Sequence, residues 1–183
     1  MSVPRQESPD DVVLATPRLL MLPLARDYVA DLADLYADPG VTRFLTPLDD
    51  AGHLRRCLEA EAMWASRGFG RVAFHDRASG RFAGRGGLQH WPQFDEVEVT
   101  WALRREYWGR GLATEAGDAW VRWGLEHLDV PYVTALIAPE NTGSRGVAER
   151  LGMTVLRTDV QHGREVLVYA ASRADRSPTV AES

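Results

Sequence analysis

Tyr107-Trp108-Gly109-Arg110-Gly111-Leu112-Ala113-Thr114-Glu115-Ala116 sets two close glycines and a small residue where a strand-like run gives way to a helix-like one. Such a junction aims free backbone N–H groups at one point, with the positive end of the helix behind them, which suits a phosphate. Glycine matters because a missing Cβ permits φ > 0 and close approach of a ligand to the backbone. The stretch reads as a pyrophosphate cradle.

Its spacing narrows the choice. A Walker-type loop needs a Lys-Ser/Thr pair after its second glycine, and the chain has no lysine; a dinucleotide fingerprint needs a further small residue and an acidic ribose partner in a βαβ setting. Neither fits. Upstream lies Glu96-Val97-Glu98-Val99-Thr100-Trp101-Ala102-Leu103. A two-residue period places Val97, Val99, Trp101 and Leu103 on one face, the core, and Glu96, Glu98, Thr100 and Ala102 on the other. Downstream, Leu112, Ala116, Ala119, Trp120, Trp123 and His127 trace a helical stripe, so Gly111 falls at a helix start.

The rest of the chain orders around this unit. Arg18 to Leu24 reads as a first strand, followed by a helix with Tyr28, Leu32, Leu35 and Tyr36 on one side, stopped by Pro39-Gly40. A second helix runs from about Asp50 to Arg67, with Leu54, Leu58, Met63 and Trp64 as its expected buried stripe, ended by Gly68 and Gly70. Arg71 to His75 and Phe82 to His90 form a hairpin across Asp76-Arg77-Ala78-Ser79-Gly80. Tyr132 to Ala138 is a strand, Ser144 to Leu151 a short helix closed by Gly152, and Met153 to Val160 with Arg164 to Ala171 a last hairpin turning at Gln161-His162-Gly163. The order βααβββαβαββ, with its antiparallel middle, predicts a mixed α/β sheet flanked by helices rather than a doubly wound parallel one. One domain over residues 14–172 is expected, between polar tails at 1–13 and 173–183.

Composition excludes several classes. A net charge of −5 over 183 residues argues against a nucleic-acid platform, and no apolar run approaches a membrane span. The N-terminus lacks an apolar signal core and Cys57 is the only cysteine, so a cytoplasmic protein without a disulfide framework is expected. The five histidines show no ligand spacing with one another or with Cys57, so no metal is predicted; Cys57 reads as packing. Arginine is scattered along the chain, which suggests base composition rather than function.

A second stretch, Asn141-Thr142-Gly143-Ser144-Arg145-Gly146-Val147-Ala148-Glu149-Arg150-Leu151-Gly152-Met153, follows the first at a set distance. Trp108 to Ala113 resembles the acetyl-CoA loop of the GNAT N-acetyltransferases, Gln/Arg-x-x-Gly-x-Gly/Ala, with Trp108 in place of the first residue. The second stretch resembles Asn-x-x-Ser-x-x-x-x-Glu-x-x-Gly-Phe of the RimJ/RimL branch, the ribosomal-protein N-terminal acetyltransferases, with Met153 for Phe. Thr16-Pro17-Arg18-Leu19, Glu98 to Trp101 and Arg164 to Tyr169 extend the likeness over residues 14–171. The resemblance implies the GNAT fold, acetyl-CoA as co-substrate and no metal. The implied partner is a primary-amine acceptor, first a protein N-terminus, as the branch resemblance implies, with a small molecule such as an antibiotic, polyamine or amino-acid derivative as the alternative. A CoA-binding sensor without catalysis is the reading from another class.

Acetyl transfer needs a neutral amine, a stabilised oxyanion and help for the leaving thiolate. Glu98 is the first candidate to take the proton, directly or through water, and Glu96 the alternative; a solvated strand face would give the same pattern. The resemblance implies that backbone from Trp101 to Leu103 pairs with the pantetheine arm, that Trp108, Gly109, Arg110, Gly111, Leu112 and Ala113 hold the pyrophosphate, Trp108 chiefly through its amide, and that Asn141 bonds the arm. Many relatives carry a tyrosine acid at the position of Ala148; alanine cannot donate a proton, so Ser144 inherits that role, or simply caps its helix. Arg104, Arg105, Arg110 and Arg145 are candidates for CoA phosphates or plain surface charge. Phe44 to His53 and Gln89 to Phe94 are expected to line the acceptor side.

Overall fold

The computed structural model describes residues 12–174; of the expected tails at 1–13 and 173–183, residues 1–11 and 175–183 lie outside the described residues. The elements are β1 (Leu14–Ala15), β2 (Leu19–Pro23), α1 (Val29–Tyr36), α2 (Pro39–Thr42), α3 (Asp50–Arg67), β3 (Arg71–Asp76), β4 (Phe82–Trp91), β5 (Glu96–Leu103), α4 (Leu112–His127), β6 (Tyr132–Ile137), α5 (Thr142–Arg150), β7 (Thr154–Gln161) and β8 (Arg164–Ser172). This is the predicted order with two additions too short to leave a periodic signal. They are the two-residue β1, and a single turn, α2, where Pro39 stops α1 and then occupies a first helical position under an Asp38 cap.

Eight strands form one sheet in the order β1-β2-β3-β4-β5-β6-β8-β7. All neighbours are antiparallel except β5 and β6, whose parallel pairing has a single register partner, Glu98 with Thr134. The crossover that makes them parallel contains the glycine loop and α4. On one face Leu112, Ala116, Trp120 and Val121 of α4 pack on Val72, Phe74, Leu88, Val97 and Val99. Gly124 lets α4 lie close, since a Cβ there would stand 3.1 Å from Val133 and 3.4 Å from Leu88. Toward α1 and α3 a second cluster gathers Leu24, Leu32, Leu35, Cys57, Ala60 and Ala73.

Helix α3 spans the predicted residues, capped by the Asp49 carboxylate on the Gly52 amide and ended by Gly68 at φ 71. Its buried face differs in part from the expected one, since Met63 and Trp64 do pack, partly buried, against the core. His53, Cys57 and Ala60 are buried, whereas Leu54 and Leu58 are 43% and 41% exposed. Small side chains fit where the helix lies close to the sheet, so residue size overrode hydrophobicity. Strand β5 also departs from a one-sided pattern: Glu96 and Glu98 are 8% and 7% exposed, so the expected solvated face is itself covered. Among the described residues no helix is long and apolar enough to cross a membrane.

These faces predict unequal costs. Leu58→Gln should change unfolding free energy by no more than about 0.5 kcal/mol, whereas Leu88→Ala should lose about 2–5 kcal/mol; urea unfolding of the two variants checks both.

Candidate functional site

A cleft of about 1410 Å³ opens where β5 and β6 part. Beyond the Glu98–Thr134 pair, Thr100 to Leu103 on one side and Leu136 to Ala138 on the other line it. Of the residues expected in a site, Glu98, Trp101, Leu103, Trp108, Gly109, Gly111, Leu112, Ala113, Asn141 and Ser144 all border this one space. Arg110 does not: its side chain borders a smaller cavity of about 300 Å³ with Arg18 and Arg77, and its guanidinium lies 5.6 Å from the Tyr107 ring centre.

The glycine loop has the shape its residues allow. Gly109 and Gly111 take φ 69 and 75, and a Cβ at Gly109 would meet nothing within 4 Å, so backbone conformation rather than space calls for glycine there. Gly111 caps α4, whose first amides, on Leu112, Ala113 and Thr114, have no partner inside the helix. The Trp108 amide is engaged, donating 3.0 Å to the Arg105 carbonyl, and its indole Nε1 donates 2.8 Å to the Leu103 carbonyl. Trp108 therefore braces the loop and does not offer a free donor. A second brace escaped the sequence reading. Glu115 accepts from Thr16 Oγ1 at 2.6 Å, the Arg18 amide at 2.9 Å and Arg18 Nε at 2.6 Å, while Arg18 Nη1 donates 2.7 Å to the Arg110 carbonyl. Burial pushes the Glu115 carboxyl upward, but these hydrogen bonds outweigh it and hold the group below the usual carboxylate range.

Across the cleft, Asn141 Oδ1 accepts from the Ser144 amide at 3.1 Å and so caps α5; Ser144 is three residues into the turn and is not the cap. The Trp101 indole donates to Ser144 Oγ at 3.3 Å, which leaves the serine proton available for another acceptor. Ala148 is fully buried in the core. Arg104 is committed to Asp34 at 2.8 Å, Arg105 to Asp38 at 2.7 Å and Arg145 to the Tyr169 hydroxyl and Pro139 carbonyl, so these three are surface or structural charges.

Glu98 stands at the fork of the sheet. Its Oε2 accepts from Trp91 Nε1 at 2.6 Å and Gln89 Nε2 at 3.0 Å, and its Oε1 from the Leu136 amide at 3.4 Å. Burial is the main influence and raises its pKa; the hydrogen bonds from Trp91 and Leu136 and the charges of Arg71 and Arg85 oppose the shift without cancelling it. Arg71 Nη2 donates to Gln89 Oε1, completing a relay to the carboxylate. Glu96 lies off the cleft. Arg157 binds it through two nitrogens at 2.7 and 2.8 Å and the Tyr132 hydroxyl donates to it at 3.1 Å, so the alternative base is a structural ion pair.

Phe44 to Thr46, Gln89 and Trp91 border the cleft as expected, while His53 and Phe94 do not. Sequence reading missed Tyr36, Arg56, Arg71 and Arg85, which line it under α1 and α3. The signal available was Arg85 alone among Gly84, Gly86 and Gly87 in a central strand, a charge that burial would have to explain. The Tyr36 hydroxyl accepts from Arg56 Nη1 and, at 2.7 Å, from Arg85 Nη2. Burial opposes ionisation of Tyr36, but the two guanidiniums prevail and hold it below the ordinary phenol value.

The acetyltransferase (GNAT) domain model matches residues 18–154 of the chain. The chain belongs to the GNAT acetyltransferases. It is 29% identical over 153 residues to a protein of Bacillus subtilis (strain 168) described as uncharacterized protein YkkB, covering 79% of this chain and 86% of that one. An acetyltransferase from Agrobacterium tumefaciens str. C58 superposes with a TM-score of 0.77 at 30% identity, over 87% of this chain and 94% of that one. The ribosomal L7/L12 alpha-N-protein acetyltransferase RimL, solved with coenzyme A, shares the fold at a TM-score of 0.73 and 14% identity, over 88% and 97%. Acetyl-CoA is the donor used by the GNAT family. Among the described residues no group of three or more His, Cys, Asp or Glu is placed to hold a metal.

The Glu115 brace generates a prediction. Glu115→Gln keeps the shape but weakens the charge-assisted bonds to Arg18, so acetyl-CoA should bind about tenfold more weakly by calorimetric titration, with the melting temperature nearly unchanged.

Proposed function

We propose that this enzyme acetylates a primary amine by direct attack on acetyl-CoA bound across the glycine loop and the β5–β6 fork. The observation that carries the reading is the buried Glu98 carboxylate, aimed into the cleft at the point where the two strands separate. Acetyl-CoA supplies an activated acyl group on a thiol leaving group. The amides at the start of α4 suit its pyrophosphate, and the edge of β5 at Trp101 suits the pantetheine arm, paired as an added strand, the Leu103 carbonyl being taken by the Trp108 indole.

Glu98 takes the proton from the attacking ammonium, directly or through water. A carboxyl whose pKa is raised by burial is a stronger base than an exposed one, which favours the transfer near neutral pH. Arg71 and Gln89 position it, and Trp91 keeps it anionic. The nitrogen–carbon bond then forms and the carbon–sulfur bond breaks; Ser144, with its oxygen occupied by Trp101, gives its proton to the departing sulfur and is restored by the second proton that the new amide nitrogen loses.

Two acceptor readings follow. An α-amine at a protein or peptide N-terminus has an ordinary pKa of about 7.7–8.0, so much of it is neutral near pH 7 and one carboxylate is adequate help. A small-molecule amine is favoured by a different observation, the arginine-lined chamber next to Glu98.

Glu98→Gln should lower kcat by about 10²–10⁴ with little change in acetyl-CoA affinity, measured by thiol release and by titration. In the parent enzyme kcat/KM should rise with pH through a titration above the usual glutamate value, because the base acts deprotonated and burial raises it. That limb should vanish in Glu98→Gln; a profile identical to the parent's would remove Glu98 from the base role. Trp91→Phe deletes a hydrogen bond to the charged form, so the same limb should move to higher pH.

A further inference from the structure

Three guanidiniums, from Arg56, Arg71 and Arg85, line the cleft beside Glu98. Their partners are unequal. Arg71 serves Gln89 and lies 3.7 Å from Glu59. Arg85 is 6% exposed, gives Nη2 to the Tyr36 hydroxyl and leaves Nε buried with no hydrogen-bond partner. Arg56 likewise donates to Tyr36 and lies 5.3 Å from its ring centre. Neither Arg56 nor Arg85 forms an ion pair with a carboxylate among the described residues. Buried charges are ordinarily paired, and a phenol is a poor counterpart for two guanidiniums.

Arg85 and Gln89 stand on β4 opposite Ala102 and Glu98 of β5. Between those rows Thr100 borders the cleft, its hydroxyl buried without a partner. Four residues of strand separate the Arg85 row from the Glu98 row, about 13 Å along the backbone. The charges also act on one another. Burial first, then the neighbouring guanidiniums, pull Arg71 down to about 10 and lower Arg56; burial first, then Arg56, lowers His53, whose ring meets Tyr36 edge-on.

We propose that the acceptor is a small amino-carboxylic acid, its carboxylate taken by Arg56 and Arg85 and its amine thereby presented to Glu98. This rests on the acetyl-transfer reading of the same cleft. A planar carboxylate matches the guanidinium fork and supplies the acceptor that Arg85 Nε lacks. Because Arg85 lies below the surface, the anion enters on the short acceptor itself, and a large partner grazing the rim would not reach it.

The test is thiol release from acetyl-CoA with matched amines: amino acids, their amides, aminoalkyl phosphates, and a free-N-terminal peptide without acidic residues. The acids should exceed their amides in kcat/KM by about 10–100-fold, the worth of a hydrogen bond to a charged group. Arg56→Gln and Arg85→Gln should erase most of that preference through KM, and Arg85→Lys should restore part of it. Equal rates for acids and amides, a faster phosphate or uncharged peptide, or a preference unmoved in both glutamine variants would overturn the proposal. Binding is measured separately, by titrating N-acetyl amino acids and their amides into the wild-type and Arg56→Gln proteins. Preferential binding of the acids, lost in Arg56→Gln, keeps the anion site even if no amine releases thiol, in which case only the acetyl-transfer reading fails. Equal binding of acids and amides overturns the anion site whatever the turnover.

Discussion

Where β5 and β6 part, the sheet loses the hydrogen bonds that hold its other neighbours together, and the Glu98 side chain stands in for them. One oxygen takes the Leu136 amide from the far strand, and the other takes Trp91 and Gln89 from the near side. A carboxylate can do this because it accepts several donors at once, and its burial is tolerable because those donors are present. The same side chain therefore ties the two strands together at the mouth of the cleft. Moving the fork by a residue in either direction would leave the opening with Val97 or Val99, which face α4.

The two walls of the cleft are stabilised by different means. On one side, the glycine loop has little packing of its own and is held by Trp108 from below and by Arg18 with Glu115 from the side. On the other side, Tyr36, Arg56 and Arg85 form a polar cluster under two helices, inside a region otherwise packed with Leu32, Leu35, Cys57 and Ala73. Conformational restraint suits a loop that must present amides in a fixed direction. Concentrated charge suits a wall that must choose among molecules.

Legibility followed the range of the interactions. The order of elements, the turn at Gly109 and Gly111 and the helix end at Gly68 are local, set by φ values that other residues resist, and each could be read in the sequence. The face of α3 could not, because Cys57 and Ala60 are buried for their smallness against a sheet that the sequence alone does not position. Strand β5 showed a core face and an acidic face, yet nothing local says that residues of neighbouring strands cover the second, so Glu98 could be ranked ahead of Glu96 but not separated from it. They separate only once Arg157, 61 residues away, claims Glu96. Arg56 and Arg85 were hidden by abundance: among many arginines, two that converge on one tyrosine hydroxyl look like all the others until the chain is folded.

The bonds from Thr16 and Arg18 to Glu115 join residues 99 and 97 positions apart. Closing so long a loop carries an entropy cost that local turns do not. The rigidity of the glycine loop is thus a property of the finished fold rather than of the motif. A fragment that keeps both glycines and loses the first twenty residues would carry the signature of the site without its rigidity.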